Sequence, residues 1–228
     1  MTPRKFVYNI DYIHILSFRE QYKAAISPYF AYDKIEYSIE NENTILESIR
    51  LIFRAEGFVL QFRKEGITLL YEGDISIVKK KNPVVDIFFE IFERIKKFDG
   101  FIKTTRHKIV LDSVEIIDDE ELVNKELKNN TFLKNPFTDL NDFSCVYEFL
   151  KEDKKCIFEF GIYNERDIKR YDLSPLRTDY NSDLSKGKTG FMCRTTVELE
   201  SDVISYSKFK NLIEDSENII QQFKDKTK

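Results

Sequence analysis

The 228-residue chain has no tryptophan, two histidines, three cysteines and seven glycines, and each shortage removes a class of function. Two imidazoles, His14 and His107, with three scattered thiols, offer no clustered ligand set for zinc. A phosphate-binding loop needs glycine at two fixed places. The one look-alike, Gly187-Lys188-Thr189, has Ser182 where the first is required and leads into a strand pattern instead of a helix. An excess of charge of one sign is also missing: 36 Lys+Arg stand against 40 Asp+Glu, a net −4 with a pI near 5.5. That balance leaves no basic footprint, so nucleic acid is disfavoured as a partner. No apolar run approaches the ~20 residues that span a bilayer, and Asp11 interrupts the first apolar stretch too early for a signal sequence. Cys145, Cys156 and Cys193 are odd in number and widely spaced, which predicts free thiols and a cytoplasmic setting. The sequon Asn129-Asn130-Thr131 then reads as chance.

What the chain does hold is 42% apolar residues, with 20 Phe and 12 Tyr, beside 33% charged residues. This is a globular composition, and a chain of 27.2 kDa can hide about 70% of its unfolded surface. Phe6–Ile10 reads as a strand and Ile15–Ala25 as a short helix. Ile49, Leu51 and Phe53 alternate with Arg50 and Arg54 on the other face, and Phe58, Leu60 and Phe62 alternate against Val59, Gln61 and Arg63. Ile67-Thr68-Leu69-Leu70-Tyr71 follows, the series punctuated by Gly57, Gly66 and Gly73. That spacing predicts an antiparallel meander that is apolar on one face and charged on the other. After Asn82-Pro83 the period changes: Val84, Phe88, Ile91, Phe92 and Ile95 mark an amphipathic helix that stops before Gly100. A long strand is expected at Lys103–Ile117.

The same grammar returns later in the chain. Cys145, Tyr147 and Phe149, then Cys156, Phe158, Phe160 and Ile162, then Phe191 to Leu199 alternate. A last helix carries the stripe Phe209, Leu212, Ile213, Ile219, Ile220 and Phe223. The expected fold class is α+β, as two similar halves, each an antiparallel meander followed by an amphipathic helix packed on the sheet. The halves are 1–117 and 142–228, joined by a connecting helix or loop at 118–141. No Pro/Gly/Ser-rich linker separates them, so they should pack as one unit.

Candidate chemistry is sparse. The acids Asp118-Asp119-Glu120-Glu121 suit a helix start, but contiguous acids diverge around a helix and preform no Mg²⁺ site. No Gly-x-Ser-x-Gly elbow occurs. Glu148 and Glu159 fall on neighbouring strand patterns, yet neither begins the Glu-x-Lys step of a metal-dependent nuclease. Arg106 and His107 sit in the most polar part of the long strand. A solvated sheet face is the expectation there, with an anion or ligand contact as the functional alternative.

The segment Asn164–Lys188 interleaves Arg166, Arg170, Tyr171, Arg177, Tyr180, Lys186 and Lys188. Arg and Tyr are enriched at protein interfaces, and the acids Glu165, Asp167, Asp172, Asp179 and Asp183 cancel the charge a single-stranded nucleic acid would need. These seven residues are the candidate partner-binding set.

Three pieces, Leu69-Leu70-Tyr71 leading into the helix from Pro83 to Phe98, Arg106 to Ile109 on the next strand, and Thr195–Glu200 with its following helix, carry a likeness. In order and length the chain resembles a sporadically distributed bacterial family of two-halved α+β proteins. The resemblance implies the fold and a bacterial origin, and brings no activity with it. The function expected is therefore a non-enzymatic protein-interaction or accessory module of a bacterial or phage system, with no cofactor, no metal and no membrane. It would bind a protein partner through the long polar loop and charged sheet faces, and a homodimer is compatible. The alternatives are a small-ligand sensor with an aromatic-lined pocket and a divergent metal-dependent hydrolase or nuclease.

Overall fold

Nine strands and four helices form among the described residues of the computed structural model, which are 2–13, 15, 18–31, 35–117, 144–163 and 189–226. In chain order they are β1 (Thr2–Tyr12), α1 (Phe18–Ile26) with a 3-10 turn at Ser27–Ala31, β2 (Glu36–Glu40), β3 (Ser48–Phe53), β4 (Phe58–Arg63) and β5 (Gly66–Glu72). Then come α2 (Ser76–Lys79), α3 (Pro83–Ile95), β6 (Thr104–Ile117), β7 (Ser144–Lys151), β8 (Lys154–Tyr163), β9 (Thr189–Leu199) and α4 (Tyr206–Lys226). The expected connector at 118–141 and the partner-binding set at 164–188 lie outside the described residues.

The fold is α+β, with all strands in one antiparallel sheet of order β2-β3-β4-β5-β1-β6-β9-β8-β7. Where the sequence suggests two halves, the sheet runs unbroken. β1 pairs with β5 on one side and β6 on the other, and β6 pairs with β9 over eleven positions. β2, where only Tyr37 and Ile39 alternate with polar residues, pairs with β3 and forms one edge.

Strand parity decides the two faces. On one face, rows of residues in register run from edge to edge: Tyr37, Leu51, Leu60, Leu69, Tyr8, Ile109, Val197, Cys156 and Phe149 form one such row. Its seven inner members are buried to within 1% exposure. Against this face lie α1, α3 and α4. α3 starts where Asn82 Oδ1 accepts a hydrogen bond from Val84 N at 2.9 Å with Pro83 in the first turn. It buries Val84, Val85, Phe88, Ile91, Phe92 and Ile95. α4 starts where Ser205 Oγ accepts from Lys208 N at 3.2 Å, and buries Phe209, Leu212 and Ile213.

Phe209 is the aromatic hub between helices and sheet. Its ring lies 4.8 Å from Tyr8, 5.8 Å from Phe6 and 5.5 Å from Phe89, all edge-on. Farther along α4, Phe223 rests on Phe158 and Phe160. The hairpin β7–β8 is also tied down electrostatically: Lys151 and Lys154 reach Asp215 of α4 at 2.5 and 3.0 Å. Burial pushes the Asp215 carboxyl up, but hydrogen bonds from both ammonium groups outweigh it and hold the carboxyl below its usual range. A second tie joins α1 to the approach to β3, where Arg19 grips the buried Glu47 carboxylate through both of its oxygens.

Removing the Phe209 ring should leave a cavity at the meeting of α4, α3 and β1. Phe209→Ala is expected to lower unfolding free energy by about 3–5 kcal/mol in a urea titration. A loss under 1 kcal/mol would mean that α4 does not clamp the sheet.

Candidate functional site

No described helix or strand lies across the opposite face of the sheet, and its side chains sort into bands perpendicular to the strands. One band is apolar: Ile52, Val59, Leu70, Val7, Val110 and Ile157, with Thr196, stand side by side across seven strands. Charged and polar bands flank it. On one side Thr68 Oγ1 donates to Asn9 Oδ1 at 2.7 Å, in register with Gln61 and Lys108. On the other, Arg194 of β9 grips the buried Asp112 of β6 through Nε at 2.6 Å and Nη2 at 3.1 Å. Opposite charges in register on adjacent strands hold the pairing, because a one-residue slip would break the charge pairs and bring apolar residues outward.

At one end of this face the ladder is irregular. Asp11 pairs with Arg106 but Tyr12 pairs with Thr104, so Thr105 is skipped, a bulge that bends β6 away from β1. On the other side of Asp11 stands Gly66, where a Cβ would come within 2.8 Å of the Ile10 carbonyl oxygen. Bulge and glycine together shape a basin of about 730 Å³ lined by Asn9, Asp11, Tyr12, Arg63, Glu65, Thr105, Arg106, Lys108 and Glu200.

Three acids and three bases line the basin, and two of them, Arg106 and Asp11, engage each other. Arg106 donates to Asp11 Oδ2 through Nε at 2.8 Å and Nη2 at 2.6 Å, and to Glu198 through Nη1 at 3.3 Å. Arg63 gives its backbone oxygen to the Tyr12 hydroxyl at 3.0 Å, while its Nε is buried without a hydrogen-bond partner among the described residues. Such a lining can hold a polar ligand by exchanging one charge pair for another. Tyr12 is the single aromatic residue in it; the other described aromatics that contact one another lie largely between sheet and helices, not around this cavity.

Arg106 and His107, adjacent in sequence, are not brought together. Arg106 reaches into the basin, whereas His107 faces the helices and is fully buried, which corrects the expectation of a solvated face for it. The reason is parity: Ile109 and Leu111 must face the core, and His107 goes with them. Tyr8 Oη lies 3.1 Å from His107 Nδ1, and Nε2 has no hydrogen-bond partner among the described residues. Burial, helped by the nearby Lys208 ammonium, pulls the imidazole pKa down to about 4. Glu148 and Glu159 stand on the basin-bearing face but apart from the basin. Lys155 bridges to Glu148 at 2.9 Å, and Glu159 is in register with Arg194. Among the described residues no three His, Cys, Asp or Glu side chains gather as a metal-holding group.

The two edges of the sheet differ in kind. β2 is five residues long, and its Glu36 and Glu40 are engaged by Arg54 and Arg50. β7 is eight residues long and carries Val146, Tyr147, Phe149 and Leu150 at 64, 46, 37 and 80% exposure. Its sequence gives the apolar alternation of Cys145, Tyr147 and Phe149, but Val146 and Leu150 make the other side apolar too. That two-sided pattern was the available signal for an unusual strand.

The neutral His107 has a titration consequence. Its folded pKa lies below the unfolded value near 6.5, so the unfolded chain takes up a proton first as pH falls. The contribution is whole above pH 6.5 and is lost on the way down to about pH 4. Urea midpoints from pH 7 to 4.5 should reveal a loss on the order of 2 kcal/mol that His107→Leu removes. Parallel profiles for the two proteins would contradict this.

Compared with protein-family models and with curated proteins, the chain matches none.

Proposed function

We propose that the protein is a non-enzymatic interaction module, an accessory protein of a bacterial or phage system, whose partner is another polypeptide taken up along β7. What carries this reading is the edge itself. An unpaired strand presents a row of backbone donors and acceptors, and natural sheets blunt such rows with charge, shortness or cover. β2 is blunted in that way. β7, unpaired on its outer flank among the described residues, instead adds four large exposed apolar side chains to that row. An added strand from a partner satisfies both at once, main chain to main chain and side chains to alternate faces.

Two further observations agree with the reading. Cys145, Cys156 and Cys193 are all free thiols, as a reducing, cytoplasmic setting requires. No helix of the described residues is long and apolar enough to cross a membrane. The segment 164–188, with Arg166, Arg170, Tyr171, Arg177, Tyr180, Lys186 and Lys188, follows β8 directly in sequence and would extend the contact.

The test is site-specific photocrosslinking in the native host. A benzophenone amino acid in place of Leu150 should capture a defined protein, identified by mass spectrometry, while the same group in place of Tyr37 on the β2 edge yields background. Equal capture at both edges, or none at Leu150, would remove β7 from the account.

The basin favours a second reading, a small-ligand sensor. Its volume of about 730 Å³ is of ligand size, and its balanced charges suit a zwitterionic or otherwise polar molecule. A thermal-shift screen with amino acids and nucleotides should then show one compound raising Tm by several degrees, an effect that Lys108→Glu abolishes. Stabilisation that survives in Lys108→Glu would place the ligand elsewhere.

A further inference from the structure

We infer that the occupant of the β7 edge is a second copy of this chain, its β7 paired antiparallel with the first about a two-fold axis through Tyr147. The inference rests on the reading of β7 as an interaction edge and names the partner.

Self-pairing of one strand allows few registers, because residues facing each other across an antiparallel pair must point to the same side of the sheet. For the eight residues Ser144–Lys151, only centres at Tyr147 and Glu148 match seven residues of each copy. A centre at Glu148 sets that carboxylate against its own copy, and like charges directly opposite are destabilising. A centre at Tyr147 sets no like charges directly opposite, the two Glu148 carboxylates falling at diagonal positions. On the helix side it matches Cys145 with Phe149 and Tyr147 with Tyr147; on the other side it matches Val146 with Glu148 and Ser144 with Leu150. Lys151, committed to Asp215, falls outside the paired segment.

The backbone agrees with that centre. β7 and β8 are joined by a two-residue turn, Glu152-Asp153, with Lys151 opposite Lys154. A β-turn closes with a hydrogen bond between its first and last residues, and the ladder alternates from there. Odd-numbered residues of β7 thus bond to β8, leaving the amides and carbonyls of Ser144, Val146, Glu148 and Leu150 facing outward. In the Tyr147-centred register these meet one another as matched bonding pairs, and Tyr147 faces its copy at a close, non-bonded position. The interface is isologous, so it closes at two copies, and β2 forms both outer edges of the resulting sheet. One strand pair covers less than the about 1,600 Å² of a standard interface, which predicts micromolar self-association.

Sedimentation of the purified full chain from about 1 to 200 µM (the range where a micromolar dimer forms) should show a monomer passing to a dimer. The double variant Val146→Glu/Leu150→Glu, which sets a second carboxylate against Glu148 of the copy, should shift that transition at least about tenfold upward with an unchanged circular-dichroism spectrum. Should the double variant fail to fold, Tyr147→Cys in a Cys145→Ser background decides. Opposed Cα atoms at a non-bonded antiparallel pair lie about 4.5 Å apart, within disulfide reach, so mild oxidation should yield a covalent dimer. Glu148→Cys, displaced by two positions from its copy, should not.

A chain that stays monomeric throughout, a dimer indifferent to both glutamates, or cross-linking through Glu148→Cys instead of Tyr147→Cys would overturn the inference. A monomeric chain that still captures a different protein at Leu150 would sink the second copy while leaving β7 as an interaction edge. A chain without capture at Leu150 would sink both.

Discussion

The double pairing of β1, with β5 on one flank and β6 on the other, is the interaction on which the rest of the molecule depends. β1 joins the meander β2–β5 to the strands β6 and β9, and so makes one sheet where two would otherwise end in open edges. It also supplies Phe6 and Tyr8, the sheet's half of the aromatic contact with Phe209. Helices can cover only one side of such a sheet without a second layer, and here the described ones all choose the same side. The other side, which no described helix covers, carries cross-strand charge pairs, and its half-buried or buried acids Asp11 and Asp112 are matched by arginines.

Much of this was written in local pattern. Ile49, Leu51 and Phe53 against Arg50, or Val84, Phe88 and Ile91 at helical spacing, carry their own period, and the elements formed where the period said they would. Three things were not fixed by local pattern. β2, Glu-Tyr-Ser-Ile-Glu, alternates over only five residues, too short a run to stand out, and takes its place as an edge through its pairing with β3. His107 is polar by type and buried by company: Ile109 and Leu111 fix its side, and its hydroxyl neighbour Tyr8 is 99 residues away. The basin gathers Asp11, Arg63 and Arg106 from three strands, and of its causes only Gly66 was visible as punctuation, read there as a turn and found to be a point of close backbone approach.

The status of an edge is the hardest property to read from a sequence, since it is defined by a neighbour that is missing. Cys145, Tyr147 and Phe149 alternate as an interior strand would, and the chain treats β7 as interior on one flank only. The contrast with β2 gives the observation its meaning. One border is short, acidic and bound up with arginines; the other is longer and apolar on both sides. Among the described residues, then, one border carries the charge and shortness that natural sheets use to blunt an edge, and the other does not.

The central position of β1 also has a cost in time. Synthesis proceeds from the N-terminus, so the middle strand of the sheet is finished before either flank exists. At about 5–20 residues per second, His107 leaves the ribosome roughly 5–20 s after the Tyr8 it will pack against. Phe6, Tyr8, Ile10 and Tyr12 spend that interval without their eventual cover, and the sheet can close only through contacts distant in sequence, the slow kind. The strand that finally organises the molecule is thus the one whose two flanking partners, β5 and β6, are both still to be synthesised when it is complete.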